Sequence, residues 1–277
     1  MFAFRKSFAI LVALPLLGFG IATGAEAQSF TATHAKVSLI AENNSLQPGK
    51  TALAGVLFDL EKGWHIYWVN PGDSGEPPKI QWQLPPGFQA KEIRWPTPVR
   101  LGGGTVIDYG YEGRVLLPVP IQVPSSYQAG KAVALSANIR YLICREVCIP
   151  AKAQASLSIP STNTGGEAAA RELFRSTFDN SPKAWPAGWK AQVTDNGGFF
   201  LLSLDTGMSE PKATFFPLEE DQVDNSAAQG VTATPRGVQI KLKKSDQLTK
   251  GLAALKGVVV LGPGQAFEIS APMAGKK

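Results

Sequence analysis

The chain has 277 residues, 44% of them hydrophobic and 18% charged, with a formal net charge of +5, two cysteines and two histidines. The positive excess is mild and spread along the chain, its densest cluster being Lys241, Lys243 and Lys244, so it argues for solubility and against a nucleic-acid footprint. Glycine (28) and proline (21) are frequent, and long Ala/Leu/Glu/Lys-rich periodic stretches are missing. That composition points to an all-β chain of short strands and turns, long enough for two domains whose cores need no covalent staple.

Residues 1–27 have the grammar of a secretory leader. Arg5 and Lys6 precede an apolar run over residues 8–21, and Ala25-Glu26-Ala27 supplies a small-x-small cleavage pattern. Pro15, Gly18 and Gly20 interrupt the run, which is short for a membrane anchor. Cleavage is expected after Ala27, with a periplasmic destination. No later stretch reaches 18 unbroken apolar residues, so no stable membrane insertion is expected after the leader is removed.

Alternating polar and apolar residues predict strands at 34–40 and 51–60. Gly63 breaks into a third, 64–69, with aromatic residues on both faces. Residues 70–78 are a dense cluster of turn formers and read as a loop. Further strands are expected at 79–84, 90–95, 115–123, 132–143 and 153–159. Between them, residues 96–113 read as a long irregular stretch rich in glycine and tyrosine, the kind of segment that often carries function. About eight short strands with frequent turns indicate an immunoglobulin-like β-sandwich over residues 28–159, a closed barrel being the alternative.

Residues 160–184 read as a linker with a short helix, expected at 167–178 and ended near Ser181-Pro182. Strands resume at 190–193, 198–204, 212–216, 237–242, 257–261 and 265–269, making a second, smaller β domain over residues 185–277. It has no cysteine, histidine or recognisable motif, and reads as a structural or docking module.

The chemistry of the chain is concentrated in Cys144 and Cys148, which stand four positions apart. In an exported protein such a pair is able to form a disulfide. As a staple it does little: closing about five residues contributes only ~2 kcal/mol in the chain-entropy model. A local, exposed bridge is easier to reduce than a buried long-range one, which suits exchange. Structural zinc wants four ligands, and His34 and His65 are far from the thiols in sequence. Cu(I), content with two thiolates, stays open. Arg145, and Arg140 if it lies on the same side, would stabilise a thiolate, while Glu146 works the other way.

The ordered motifs Gly63-Trp64-His65-Ile66-Tyr67-Trp68, Pro71-Gly72-Asp73, Trp95-Pro96, Asp108-Tyr109-Gly110-Tyr111-Glu112-Gly113, Leu117-Pro118-Val119 and Tyr141-Leu142-Ile143-Cys144 to Cys148-Ile149-Pro150 together resemble the N-terminal periplasmic domain of the DsbD and ScsB group of protein-disulfide reductases. The resemblance covers residues 31–159. It implies an immunoglobulin-like domain that takes electrons from a membrane donor of the DsbD type and passes them to oxidised thioredoxin-fold proteins of the periplasm, without a cofactor. Disulfide isomerases, cytochrome c maturation thiol proteins and copper-tolerance proteins are the partner types it suggests. By motif position, Cys148 forms the mixed disulfide and Cys144 is the resolving thiol. Residues 96–113 would be a cap loop, containing Asp108, with Tyr109 or Tyr111 covering the sulfurs and His65 close by.

The chain carries neither the multi-helix segment nor the C-x-x-C thioredoxin-like domain of the membrane members, so its electrons are expected from a separate protein. The three-residue gap between its cysteines is like that of the ScsB branch. The rival expectation is a non-catalytic adaptor or copper-handling protein with a structural disulfide or a Cu(I)-thiolate pair.

Overall fold

The computed structural model describes residues 26–43, 45–128, 132–160 and 170–274. All but the last two residues of the expected leader lie outside the described residues. The first half of the chain forms β1 (Glu26–Ala32), β2 (Ala35–Ala41), β3 (Thr51–Leu60), β4 (His65–Gly72), β5 (Lys79–Gln83), β6 (Gln89–Ala90), β7 (Val99–Gly103), β8 (Val106–Glu112), β9 (Arg114–Gln122), β10 (Ala132–Cys144) and β11 (Cys148–Pro160). They are hydrogen-bonded in the order β6-β9-β3-β2-β1-β11-β10-β4-β8-β7, with β5 also on β10. β1 pairs with β11 through its first residues and with β2 through its last. The ladder therefore turns over at β1 into two facing layers, an immunoglobulin-like sandwich with open edges at β6 and β7.

Strand periodicity decides what each layer buries. Along β10, Val133, Leu135, Ala137, Ile139, Tyr141 and Ile143 point into the sandwich, where they meet Val37, Leu39, Val56, Phe58 and Leu117 of the facing layer. The other face of β10, including Cys144, turns outward.

Two expected segments differ from what is observed. Residues 96–113 are not an irregular loop: β7 and β8 pair as a hairpin that adds two strands beyond β4. Residues 90–95 form no strand past Ala90. Their neighbour β9 carries Pro118 and Pro120, which accept from Arg94 N (2.8 Å) and Lys91 N (2.9 Å) but have no N–H to return, so a reciprocal ladder cannot form.

After the first sandwich, α1 (Arg171–Asp179) lays Phe174 on Leu57 and Leu116, on the outer face of β3 and β9. The remaining strands are β12 (Lys183–Ala184), β13 (Lys190–Asn196), β14 (Phe199–Asp205), β15 (Thr214–Pro217), β16 (Gly230–Thr234), β17 (Gly237–Lys243), β18 (Ala254–Gly262) and β19 (Gln265–Pro272). Two four-stranded sheets, β12-β19-β18-β15 and β13-β14-β17-β16, enclose a second core around Val193, Leu202, Phe215, Ile240, Leu255 and Val259. The chain is thus nearly all β, a larger sandwich followed by a smaller one.

The two sandwiches share buried surface. Phe216 of β15, with Val258 and Ala266, belongs to the first core. Its ring meets Tyr109 edge-on at 5.4 Å and Trp68 at 6.5 Å. Beside it, Asn70 Nδ2 donates to Pro217 O (2.8 Å). Truncating a buried phenylalanine costs about 3–5 kcal/mol. Phe216→Ala is therefore expected to lower the denaturation midpoint strongly, whereas Met208→Ala, at a side chain 64% exposed, changes stability by less than about 0.5 kcal/mol; urea titrations of both check this.

Candidate functional site

β10 and β11 pair residue for residue down to a last rung that joins Cys144 to Cys148, and the two sulfurs are bonded to each other. Arg145, Glu146 and Val147 form the exposed turn beyond it. The two cysteines differ sharply in burial: Cys144 is 1% exposed, while Cys148 is open to solvent. The cause is the order of strands. At this end of the sandwich β10 is flanked by β11 on one side and by β4 on the other, where His65 pairs with Cys144. β11 has no such second neighbour, since β1 reaches only Ser156, Leu157 and Ser158.

The outer face of β4 supplies the surroundings. His65 stands directly across from Cys144, and directly opposed side chains lie on the same face of a sheet. Two residues on, Tyr67 shares that face, its ring edge-on to the imidazole at 5.2 Å. The Tyr67 hydroxyl lies 3.3 Å from Cys148 Sγ. A disulfide sulfur carries no proton, so the phenol is the donor.

Over Tyr67 runs the 73–78 loop. Asp73 N donates to Ile107 O (3.0 Å), and Ile107 N donates back to Asp73 Oδ2 (2.7 Å). Ser74 N and Oγ donate to Asp108 Oδ1, both at 3.0 Å. Gly75, at φ +82°, sits against the Tyr67 ring so closely that a Cβ there would collide with it. The second sandwich holds this loop too. Asn225 Nδ2 donates to Asp73 Oδ1 (2.8 Å) while Asn225 Oδ1 accepts from the Tyr109 hydroxyl (2.9 Å), and Arg100 Nη2 donates to the Asn225 carbonyl (2.7 Å).

Burial sets the protonation of these groups. It lowers His65 below its usual range against the opposing pull of Asp108 and Glu112. It raises Asp108, restrained by the hydrogen bonds from Ser74, and raises Tyr67, which stays a phenol. His65 Nε2 lies 3.9 Å from Asp108 Oδ2, beyond hydrogen-bond reach.

Of the residues singled out from sequence, Cys144, Cys148, His65 and Asp108 come together. Tyr109 and Tyr111 do not cover the sulfurs. They share the parity of Ile107 on β8, so they point into the sandwich, while Asp108 points out. Tyr109 ends on Asn225, and the Tyr111 hydroxyl donates to Pro96 O (2.8 Å). Arg145 adjoins the pair, but its guanidinium rests 5.2 Å over the Trp64 ring, on which His34 stacks at 3.8 Å. Sequence reasoning alone does not reach Tyr67, Ser74 and Gly75; the strand period from His65 to Tyr67 is the available signal.

An immunoglobulin-like sandwich with a local disulfide on its outer face, one cysteine buried and the other exposed, has the arrangement that a thiol-disulfide exchange domain requires. Residues 36–160 match the family described as thiol:disulfide interchange protein DsbD, N-terminal. The crystal structure of the N-terminal periplasmic domain of ScsB from Proteus mirabilis has the same fold across both sandwiches: TM-score 0.65 at 18% identity, over 89% of this chain and 97% of that one. No curated protein matches the chain.

Gly75→Ala is expected to push the 73–78 loop off Tyr67 and to loosen the Tyr67 hydroxyl from Cys148 Sγ. Dithiothreitol should then open the disulfide faster than in the wild type, read by thiol release. The left-handed backbone alone destabilises the variant by about 1–2 kcal/mol. Acid should also weaken the fold. With His65 held below 6.5, the unfolded chain takes up a proton before the folded one, so stability falls as pH drops below about 6.5. Asp108, raised above 3.8, acts in the opposite sense at lower pH, adding stability as it protonates. Urea midpoints between pH 7 and 5 should decline in the wild type and decline less in His65→Gln.

Proposed function

We propose that this chain is a periplasmic protein-disulfide reductase that exchanges its Cys144–Cys148 bridge with disulfides of thioredoxin-fold partners. The observation that carries the reading is the difference in burial between the two cysteines. That difference supports Cys148 as the cysteine met by an incoming macromolecule and Cys144 as the one kept from it. In the reduced form, Cys148 thiolate attacks a partner disulfide, one partner sulfur leaves as thiolate, and a mixed disulfide forms. Cys144 then attacks Cys148 Sγ, the bridge closes, and the partner leaves reduced. Tyr67, which donates to Cys148 Sγ in the bridged state, is placed to donate to the thiolate as well, a bond that favours the charged form.

Support for the location and partners comes from the family match and from the fold shared with a periplasmic domain. Among the described residues no helix is long and apolar enough to cross a membrane. The direction of electron flow follows from the potentials of the two couples, each ~30 mV between them shifting the exchange by about 1.4 kcal/mol.

Cys144→Ala tests the reading. Lacking the resolving thiol, it is expected to hold periplasmic proteins in complexes that dithiothreitol dissolves and that mass spectrometry maps to Cys148. The double variant Cys144→Ala, Cys148→Ala should hold none. A single variant that captures nothing from an extract rich in oxidised thioredoxin-fold proteins would contradict the proposal.

A further inference from the structure

We propose that His65 is the proton acceptor for Cys144 in the step that closes the bridge and releases the partner. This rests on the exchange function proposed above and assigns the group that makes its second half fast.

The buried position of Cys144 protects it from the partner but creates a difficulty. A thiol is a poor nucleophile until it loses its proton, and an apolar, water-poor setting disfavours the thiolate. At 1% exposure, Cys144 has almost no solvent to take that proton. The residue directly across the ladder from it is a histidine, itself only 9% exposed.

The condition of the imidazole suits the task. Its Nε2 is buried without a hydrogen-bond partner among the described residues. Leaving a buried polar atom unpaired is costly, and a purely structural histidine would normally avoid it by bonding. Burial keeps the ring neutral at rest and hence able to accept. Two carboxylates on β8 face it, Asp108 with Oδ2 at 3.9 Å and Glu112, its own register partner; both favour the cation once it forms. On β4 its neighbour is the Tyr67 phenol, which brings no charge.

The step balances without a further reactant. The Cys144 thiol gives its proton to His65, and the Cys144 thiolate attacks Cys148 Sγ in the mixed disulfide. The Cys144–Cys148 bond forms as the bond from Cys148 to the partner sulfur breaks. The partner leaves as a thiolate and recovers a proton from the imidazolium or from water. Cys144 and Cys148 are oxidised as the partner is reduced. In the opposite direction, imidazolium protonates Cys144 as a donor thiolate opens the bridge at Cys148.

Ellman's reagent separates the two halves, because the reduced protein releases one nitrothiobenzoate when Cys148 is capped and a second when Cys144 displaces it. In His65→Gln the first release should keep its wild-type rate. The second should slow about a hundredfold, the lower range of general-base contributions, and lose the wild-type inflection on the acid side of neutrality, rising only with alkaline pH. Asp108→Asn retains the imidazole with less support for its cation, so the inflection of the second release should move to lower pH. Equal second-release rates in His65→Gln and the wild type across pH would overturn the assignment, as would an inflection unmoved by Asp108→Asn. A wild-type protein that gives no first release, or that never closes its bridge, would instead overturn the exchange function itself.

Discussion

The site depends on the pairing of β10 with β11. The ladder of backbone hydrogen bonds between them runs the length of both strands and ends at the rung that carries the sulfurs. Cys144 and Cys148 are therefore held opposite each other by the sheet, with or without a bond between them. Opening the bridge removes only the ~2 kcal/mol of loop entropy that so short a closure contributes, while the sandwich core beneath Ile143 and Tyr141 stays intact. A cysteine pair at the end of a hairpin can thus change state without asking the rest of the fold to change. The same strand order leaves one sulfur covered by β4 and the other uncovered, which divides the work between them.

The neighbouring strands add chemistry by parity. On β4 the residues facing inward, Ile66 and Trp68, build the core, while of those facing outward His65 stands across from Cys144 and Tyr67 reaches Cys148 Sγ. On β8 the division is the same, with Tyr109 and Tyr111 inside and Asp108 outside. The second sandwich takes part at one remove. Phe216 fills the first core under Trp68 and Tyr109, and Asn225 ties Asp73 at the base of the loop that covers Tyr67. A module without any recognisable motif of its own thereby helps to hold the wall of the site.

Much of this was legible in the sequence because it is written in periods of two. The alternation along 132–143 and 51–60 corresponds to β10 and β3, the turn formers at 70–78 to the end of β4 and the covering loop beyond it, and Cys144 and Cys148 stand out by number alone. What could not be read depended on partners. Residues 90–95 have strand-like side chains, but whether they pair is decided by the missing N–H groups of Pro118 and Pro120 on another segment. Tyr109 and Tyr111 look suited to cover sulfurs until the register of β8 against β4 fixes which face they occupy. β16 has an exposed edge and no buried alternation to signal it, and Tyr67 looked like any aromatic strand residue until the hairpin end was seen to lie beside it.

Exchange requires that the bridge open in the folded molecule and that Cys148 be the cysteine presented to the outside. Mild reduction in native buffer, followed by timed alkylation and peptide mass spectrometry with far-UV circular dichroism recorded in parallel, tests it directly. An unchanged β spectrum is expected, with label arriving at Cys148 well before Cys144. A bridge that opens only when denaturant is added, or label arriving first at Cys144, would contradict it.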